Sequence, residues 1–410
     1  MGGWRTHIES EVSRLRSSSL LRETRVRTAA HHYGCNDYLG LARAGTGEGS
    51  GEDDHRGSLL VSGYSEAHRL LEKRIVELKG LSECPGASAL LFPSGYAANL
   101  SVGMALCALH PGQDPNQEIH VFSDRLNHAS IIDGIRFARL ASRGKGRVAL
   151  HVYEHNDARD LERKLVEAEA KNPNILKIVF SESVFSMDGD VCDIRGLVAL
   201  RRRHDFLFVL DEAHATLVLG RDGGGLAQAT GLCREVDVAV GTLSKAVGSL
   251  GGFVVVLSPP LRAIILNKGR PLIYSTSLPK TVVLKALRNV AIGISQEGRD
   301  LRSKLRRNVR FLATSLAGAG LVPGPPTPGE EDLVSPILPI PMASEEEALE
   351  ASAFLESRHG IFAPAIRPPT VPTSRLRIAV SALHSERDLV HLVSSLVRFK
   401  QGKPRENSKL

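Results

Sequence analysis

An aspartate and a histidine directly follow a strongly apolar run of the sequence. Residues 206–210 read FLFVL and lead into DEAH, which contains Asp211 and His214. A carboxylate at the end of a buried strand is costly unless a cation or a hydrogen-bond donor meets it. Ligands of α/β proteins bind at the carboxyl ends of the strands, so both residues are candidate site residues. A metal held by this pair is one alternative, although no second His or carboxylate cluster accompanies it, and a structural role is another.

A lysine follows a second apolar run in the same way. Residues 236–240 lead into GTLSKAVG, which places Thr242 and Lys245 among glycines and hydroxyl residues. A lysine in such a loop can be desolvated, which lowers its pKa and frees its amine to react with an aldehyde. The ordinary alternative is a surface lysine.

The third group is a helix start that is rich in small residues. Residues 92–99 read FPSGYAAN, so Ser94, Gly95 and Tyr96 open a predicted helix whose free backbone N–H groups could hold a phosphate. An ordinary helix start is the alternative. A phosphate anchor, a buried aspartate and a reactive lysine together meet the needs of pyridoxal 5'-phosphate. We therefore predict this cofactor, with Asp211 keeping its ring nitrogen protonated, and no metal.

The elements that must position these groups are predicted from the apolar pattern. Between residues 58 and 260, apolar runs of strand length alternate with amphipathic stretches of helical length, which is typical of an α/β domain. Runs this apolar indicate a mostly parallel sheet with helices on both faces. The clearest predicted strands are 119–122, 177–182, 206–210, 236–240 and 253–257. An amphipathic helix is predicted to stop at Gly80.

Composition divides the chain into four predicted parts. Residues 1–57 form an N-terminal segment that ends in a Gly-rich, acidic connector, and residues 58–295 form the large cofactor-binding domain. Residues 296–400 form a small α+β domain, with a long basic helix, a Pro-rich stretch and then helices near 345–358 and 386–398 around a strand at 376–380. Residues 401–410 form a polar tail.

The overall composition excludes several classes of protein. With 410 residues, 42% of them hydrophobic and 24% charged, the chain is neither a disordered linker nor a short binding module. The net charge of +7 is weak evidence for nucleic acid, and the cluster at 201–203 suits the solvated end of a helix. Five scattered cysteines indicate no disulfide framework and no zinc site. We expect no nucleic-acid or membrane partner, and the acidic Glu9 and Glu11 argue against a targeting peptide at the N-terminus.

The chain resembles the α-oxoamine synthases, a class II branch of the fold-type I pyridoxal phosphate enzymes. These enzymes join an amino acid to an acyl thioester with loss of CO₂. The resemblance implies a mostly parallel central sheet flanked by helices, with a smaller C-terminal α+β domain. The matching motifs occur in order at 36–40, 61–63, 94–99, 127–134, 155–157, 182–190, 211–214, 242–245 and 375–377.

The resemblance implies roles around the cofactor ring. Lys245 carries the cofactor through its amine and then removes the substrate α-proton, and Asp211 pairs with the ring nitrogen. His128 stacks on the ring, where a flat imidazole holds the pyridine still and leaves its other face open. Ser186 and His214 form hydrogen bonds to the phenolic oxygen.

The resemblance also implies the phosphate contacts and a homodimer. Ser94, Gly95 and Tyr96 would surround the phosphate with backbone donors, and Thr242 would add a hydroxyl. Thr276 resembles a phosphate contact that is made from the neighbouring subunit, which places the active site at a subunit interface.

Two arginines are candidates for binding the amino-acid substrate. Arg375 and Arg377 lie two apart on a predicted strand and so point to the same side. By resemblance, Arg375 holds the substrate carboxylate in a bidentate pair, with help from Asn36. A surface arginine is the alternative reading.

A glycine cluster favours one branch of this family. Residues 220–225 read GRDGGG and resemble the branch that condenses L-alanine with pimeloyl-CoA in biotin biosynthesis. The alternatives are an enzyme that joins glycine to acetyl-CoA, another α-oxoamine synthase, and a cofactor-free scaffold of the same fold. Residues 49–60 depart from the family pattern, which leaves the contacts to the acyl thioester open, and Arg22 is one candidate for meeting the distal carboxylate of the acyl chain.

The last three residues match an import signal. The sequence Ser408-Lys409-Leu410 is the address that the peroxisomal import receptor reads. We therefore expect this receptor as a partner and the peroxisome as the location, with a cytosolic fraction left open.

Overall fold

The structure is a computed structural model that describes residues 2–26, 57–107, 109, 118–141, 148–322 and 333–402. The chain divides into two compact units. The first unit contains Met1–Ser183 and Cys192–Ser295, and the second contains Val184–Val191 and Gln296–Leu410. The short segment Val184–Val191 thus belongs to the second unit although its neighbours in sequence belong to the first.

The described residues of the first unit form one sheet with helices around it. Its strands are β1 (Ser88–Phe92), β2 (Ile119–Asp124), β3 (Val148–Tyr153), β4 (Leu176–Glu182), β5 (Leu207–Asp211), β6 (Val238–Thr242) and β7 (Gly252–Val256). Its helices are α1 (Gly2–Ser17), α2 (Glu66–Leu78), α3 (Gly95–Cys107), α4 (Ala129–Ala141), α5 (Ala158–Lys171), α6 (Ile194–His204), α7 (Leu226–Ala229), α8 (Pro259–Lys268), α9 (Arg270–Ile273) and α10 (Lys280–Ile294).

The sheet is mostly parallel, as the apolar pattern predicts. The strand order is β1-β7-β6-β5-β4-β2-β3. The neighbours from β6 to β3 pair in parallel, whereas β7 is antiparallel to both β6 and β1. Six strands therefore run in one direction and only β7 runs against them. The loops that follow the six strands, and the loop that precedes β7, meet at one edge, where ligands of such sheets bind.

The central strands are buried throughout, because helices cover both faces of a parallel sheet. Every residue of β2, β4, β5, β6 and β7 is buried. These are the five predicted strands, displaced by at most two residues. The pattern did not predict β1 and β3. Strand β3 is an edge strand whose residues are mostly half-buried, so its sequence lacks a continuous apolar run.

The ends of two helices test the predicted helix boundaries. Helix α2 ends at Leu78, and Gly80 adopts a φ of 72°, a left-handed conformation in which glycine avoids the strain of a Cβ. The expected solvated end of α6 is right for Arg202 and Arg203, which are exposed. It is wrong for Arg201, because its guanidinium Nη2 lies 2.8 Å from Oδ1 of Asp237 and only 10% of its side chain is exposed.

The second unit is a small α+β assembly, as predicted. It contains α11 (Gln296–Gly318), β8 (Ile337–Pro341), α12 (Glu345–His359), β9 (Ala365–Ile366), β10 (Arg375–Ala379) and α13 (Glu386–Gln401). The three strands form an antiparallel sheet in the order β8-β10-β9. Ser344 and Ser385 cap α12 and α13 by accepting backbone N–H groups of the first turn. Leu376 in the middle strand is fully buried in the core of this unit.

In the parts of the chain that the structure describes, no helix combines the length and the apolar character needed to cross a membrane.

Candidate active site

The register of the sheet brings the predicted site residues to one edge of the first unit. Asp211 ends β5 and is the Cα partner of Glu182, which ends β4. Gly252 begins β7 and pairs with Phe92 on one side and Thr242 on the other. The loops after β1, β6, β5 and β4 therefore follow one another along this edge.

The start of α3 and the end of β6 form a close-fitting cradle. The hydroxyl of Ser94 accepts the backbone N–H of Ala97 at 3.0 Å, which caps the helix and leaves earlier N–H groups available. A Cβ at Gly95 would lie 3.0 Å from Cβ of Thr242, and a Cβ at Gly252 would lie 2.3 Å from the Ser94 carbonyl oxygen. A side chain at Gly252 would collide with the Ser94 backbone and one at Gly95 would press against Thr242, so the backbone of Gly95 lies directly against Thr242. Free N–H groups and a hydroxyl at a helix start suit an anion.

Tyr96 and Thr276 are the other two residues predicted to contact the phosphate, Tyr96 through its backbone. The hydroxyl of Tyr96 donates to Oδ2 of Asp133 at 2.5 Å, and 44% of the residue is exposed. Thr276 is exposed, and its backbone bridges to Ser58. The contact of Thr276 with a neighbouring subunit stays a prediction.

Asp211 is a buried carboxylate with capacity for one more donor. Its Oδ2 accepts Nδ2 of Asn99 at 2.6 Å, and its Oδ1 accepts the backbone N–H of Ala213 at 2.8 Å. Only 5% of Asp211 is exposed. An ionised carboxylate has about four acceptor positions, so two donors leave room for a protonated ring nitrogen.

His128 lies within electrostatic reach of both Asp211 and Lys245. Solvent reaches His128. Neighbouring protein atoms partly desolvate the imidazole, and this lowers the pKa of His128. The charge of Asp211 opposes this shift and that of Lys245 adds to it. The structure therefore brings together three residues that are spread over the sequence from position 128 to position 245.

Glu182 is a site residue that sequence reasoning missed. It is fully buried beside Asp211, and its Oε1 accepts the backbone N–H of His128 at 2.5 Å. Burial first and the charge of Asp211 second raise the pKa of Glu182 well above its ordinary value. A signal was present, because Glu182 ends a predicted apolar strand just as Asp211 does.

Lys245 and His214 occupy loops at the same edge. Lys245 follows β6 and is exposed, so the expected desolvation of its amine is wrong for the chain alone. The residues on either side of Lys245 in the sequence, Ser244 and Ala246, are both small. His214 follows β5 and is half-buried.

The second unit contains the remaining described candidates. Arg375 is buried, forms an ion pair with Asp188, and donates from Nη2 to the hydroxyl of Thr373 at 2.9 Å. Arg377 donates from Nε to the carbonyl of Ser186 at 2.5 Å. Burial lowers the pKa of both arginines. The reading of Arg375 as a surface residue is therefore wrong.

Two predicted features lie outside the described residues. They are Asn36, expected to help bind the substrate, and the terminal tripeptide 408–410.

The residues present fit pyridoxal phosphate. The cradle at Gly95, which a Cβ would fill, suits the phosphate, and the buried carboxylate of Asp211 has acceptor capacity for a ring nitrogen. His128 offers an accessible imidazole nearby, and Lys245 offers an accessible amine.

The chain belongs to the family of aminotransferases of class I and II, which it matches over residues 36–396. Among curated relatives, the 8-amino-7-oxononanoate synthase of Arabidopsis thaliana is 36% identical over 376 residues, covering 88% of this chain and 73% of that protein. The enzyme of the same name from Geobacter metallireducens is 38% identical over 383 residues, covering 90% and 88%.

Solved structures agree with the fold. A serine palmitoyltransferase from S. paucimobilis, solved with PLP and myriocin, superposes with a TM-score of 0.72 at 28% identity, covering 88% of this chain and 81% of that chain. An 8-amino-7-oxononanoate synthase from Francisella tularensis superposes with a TM-score of 0.64 at 22% identity, covering 90% and 96%, which supports the fold alone. The expected fold-type I architecture is confirmed.

Proposed function

We propose that the protein condenses L-alanine with pimeloyl-CoA, giving 8-amino-7-oxononanoate, CO₂ and CoA in biotin biosynthesis. It is an acyltransferase of the α-oxoamine synthase type, and its cofactor is pyridoxal 5'-phosphate. One observation carries the proposal: the cradle of Gly95 and Thr242, the buried Asp211 and Lys245 all lie along one edge of the sheet. The chain in which they lie is 36% identical to an enzyme of that name.

The bound cofactor supplies an electron-withdrawing ring that stabilises negative charge at the α-carbon of the amino acid. The charge of Asp211, held by Asn99 and Ala213, keeps a proton on the ring nitrogen. The start of α3 and the hydroxyl of Thr242 hold the phosphate. Nζ of Lys245 would hold the cofactor and would then accept the α-proton of alanine.

Three further residues orient the reactants in this proposal. His128 would hold the ring, and the hydroxyl of Ser186 and the imidazole of His214 would form hydrogen bonds with its phenolic oxygen. In the second unit, Arg377 fixes the backbone of Ser186 through its carbonyl.

Arg375 is proposed to bind the carboxylate of the amino-acid substrate, so its guanidinium has two carboxylate partners, the substrate and Asp188. The guanidinium already pairs with the carboxylate of Asp188. A guanidinium has five N–H donors, so alanine can share it with Asp188 or replace Asp188. Asn36 is proposed to assist.

A product assay tests the proposal. The holoenzyme is supplied with alanine, glycine or serine, each combined with pimeloyl-, acetyl-, succinyl- or palmitoyl-CoA, and the products are identified by mass spectrometry. We expect alanine with pimeloyl-CoA to be preferred. Glycine should react roughly 10- to 200-fold more slowly, because one methyl group is worth only modest discrimination.

Other outcomes would assign the protein elsewhere in the family. A preference for glycine with acetyl-CoA would make it a glycine C-acetyltransferase. A preference for serine with palmitoyl-CoA would follow the structural similarity to serine palmitoyltransferase. Either result would reject the proposal.

We also propose that the enzyme is a homodimer and that Ser408-Lys409-Leu410 directs it to peroxisomes through the import receptor. The dimer is supported by the exposed position of Thr276, which leaves it available to a second subunit. Light scattering would measure the mass, and a monomer with full activity would reject the shared site.

A further inference from the structure

Asn99 joins two parts of the proposed site from inside α3. It is 3% exposed, and its Nδ2 donates both to Oδ2 of Asp211 at 2.6 Å and to the hydroxyl of Ser130 at 3.0 Å. An amide nitrogen has two hydrogens, so it can satisfy both acceptors at once. Asn99 therefore connects the end of β5 with the start of α4.

The hydroxyl of Ser130 extends this connection to His128. Ser130 is fully buried, and its Oγ lies 2.7 Å from Nδ1 of His128. Because this oxygen accepts a hydrogen from Asn99, its own hydrogen is available for the imidazole. The backbone N–H of Ser130 points at the same Nδ1 at 3.2 Å. Two donors directed at Nδ1 require an unprotonated nitrogen, so the imidazole proton belongs on Nε2.

The orientation of the Asn99 amide is determined by its surroundings. The opposite orientation would place Oδ1 against the Asp211 carboxylate and Nδ2 where no partner meets it. In the observed orientation Oδ1 is buried with no hydrogen-bond partner among the residues that the structure describes. An unpaired buried oxygen costs free energy, and such a group in a native site calls for an explanation. The explanation is that this orientation lets Nδ2 donate two hydrogen bonds, to Asp211 and to Ser130.

We infer that Asn99 and Ser130 are positioning residues, which couple Asp211 to His128 and hold His128 as its neutral Nε2–H tautomer. The inference rests on the proposed function for the presence of a cofactor ring beside His128. A neutral imidazole can lie on a pyridine ring that carries a proton, whereas an imidazolium would be repelled by it. The lowered pKa of His128 agrees with the neutral form.

The experiment is ¹⁵N NMR of histidine-labelled holoenzyme, with the His128 signals assigned by their loss in His128→Gln. We expect Nδ1 to resonate as an unprotonated nitrogen and Nε2 as a protonated one. In Ser130→Ala, the ratio of the two tautomers should shift toward Nδ1–H by roughly 2- to 10-fold, the effect of one neutral hydrogen bond. The dissociation constant of pyridoxal phosphate should rise by a similar factor.

Two further variants separate positioning from simple destabilisation. Asn99→Leu keeps the volume and removes both donors, so it should shift the tautomers and weaken cofactor binding in the same direction. Ser101→Ala removes another fully buried hydroxyl from α3, one with no hydrogen-bond partner among the described residues, and should change neither readout. If Asn99→Leu fails to fold, Ser130→Ala and Ser101→Ala still decide the question.

The inference is overturned if His128 carries its proton on Nδ1, or if Ser130→Ala leaves the tautomers as they are. Equal changes in Ser101→Ala and Ser130→Ala would also overturn it. These results are independent of the substrates. If the product assay rejects alanine and pimeloyl-CoA while the tautomers shift as expected, the proposed function fails and the coupling stands.

Discussion

Replacing Asp211 by asparagine should weaken both the fold and the binding of the cofactor, and the two losses can be measured separately. In the structure two donors point at the carboxylate, Nδ2 of Asn99 at 2.6 Å and the N–H of Ala213 at 2.8 Å. An amide has one oxygen, so one of these donors would face an NH₂ group and lose its partner. An unsatisfied buried donor costs about 1–3 kcal/mol, which is the expected loss of stability of the apoprotein.

Asp211→Asn should also lose affinity for the cofactor. A hydrogen bond to a charged group contributes about 1.5–3 kcal/mol, so without the carboxylate the dissociation constant of pyridoxal phosphate should rise roughly 10- to 150-fold. Equilibrium dialysis of the apoprotein measures this constant, and urea unfolding measures the stability. Exchange of the alanine α-proton with solvent, followed by NMR, should also slow.

Asp237 provides a matched control at the opposite edge of the sheet. It also accepts two kinds of donor, the backbone N–H of Phe208 at 2.8 Å and the guanidinium of Arg201. Asp237→Asn should therefore lose stability and keep its affinity for the cofactor. Unchanged affinity in Asp211→Asn would refute the ring-nitrogen role, and an equal loss of affinity in both variants would show that stability alone is responsible.

Three other predictions follow from single features of the chain. Lys245→Ala should stay folded, lose turnover by several orders of magnitude and no longer be labelled by cofactor after borohydride reduction; labelling of another lysine would reject the assignment. Burial raises the pKa of Glu72 to about 7 from 4.5, against the opposing effects of Arg262 and Tyr64, so native protein holds a proton that the unfolded chain releases. This bound proton stabilises the folded protein fully below about pH 4.5, and the stabilisation is lost as the pH rises to about 7. Glu72→Gln should therefore raise the free energy of unfolding at pH 8 and not at pH 4. Deleting residues 408–410 should leave activity intact and move a fluorescent fusion to the cytosol, and an unchanged location would reject the peroxisomal proposal.

The sequence alone determined which segments form the centre of the large sheet. Strands covered on both faces need uninterrupted apolar residues, and this requirement leaves a pattern that can be read without a structure. The end of a helix at Gly80 could also be predicted, because its left-handed conformation depends on residues that are close in sequence. The motifs around Asp211 and Lys245 are readable too, since each directly follows such a strand.

Only the tertiary structure decided which distant side chains meet. Asn99 reaches Asp211 across 112 positions, and Glu182 becomes a buried neighbour of Asp211 because β4 and β5 pair in register. Arg201 looked like part of a solvated cluster until Asp237 was placed beside it.

Two further features could not be predicted from the sequence. They are the antiparallel direction of β7 and the membership of Val184–Val191 in the second unit. The physical reason is that hydrophobic periodicity reports how deeply each residue is buried and in which element. Hydrogen-bond and ion-pair partners depend on strand order, strand direction and register, which are set by the packing of the whole chain.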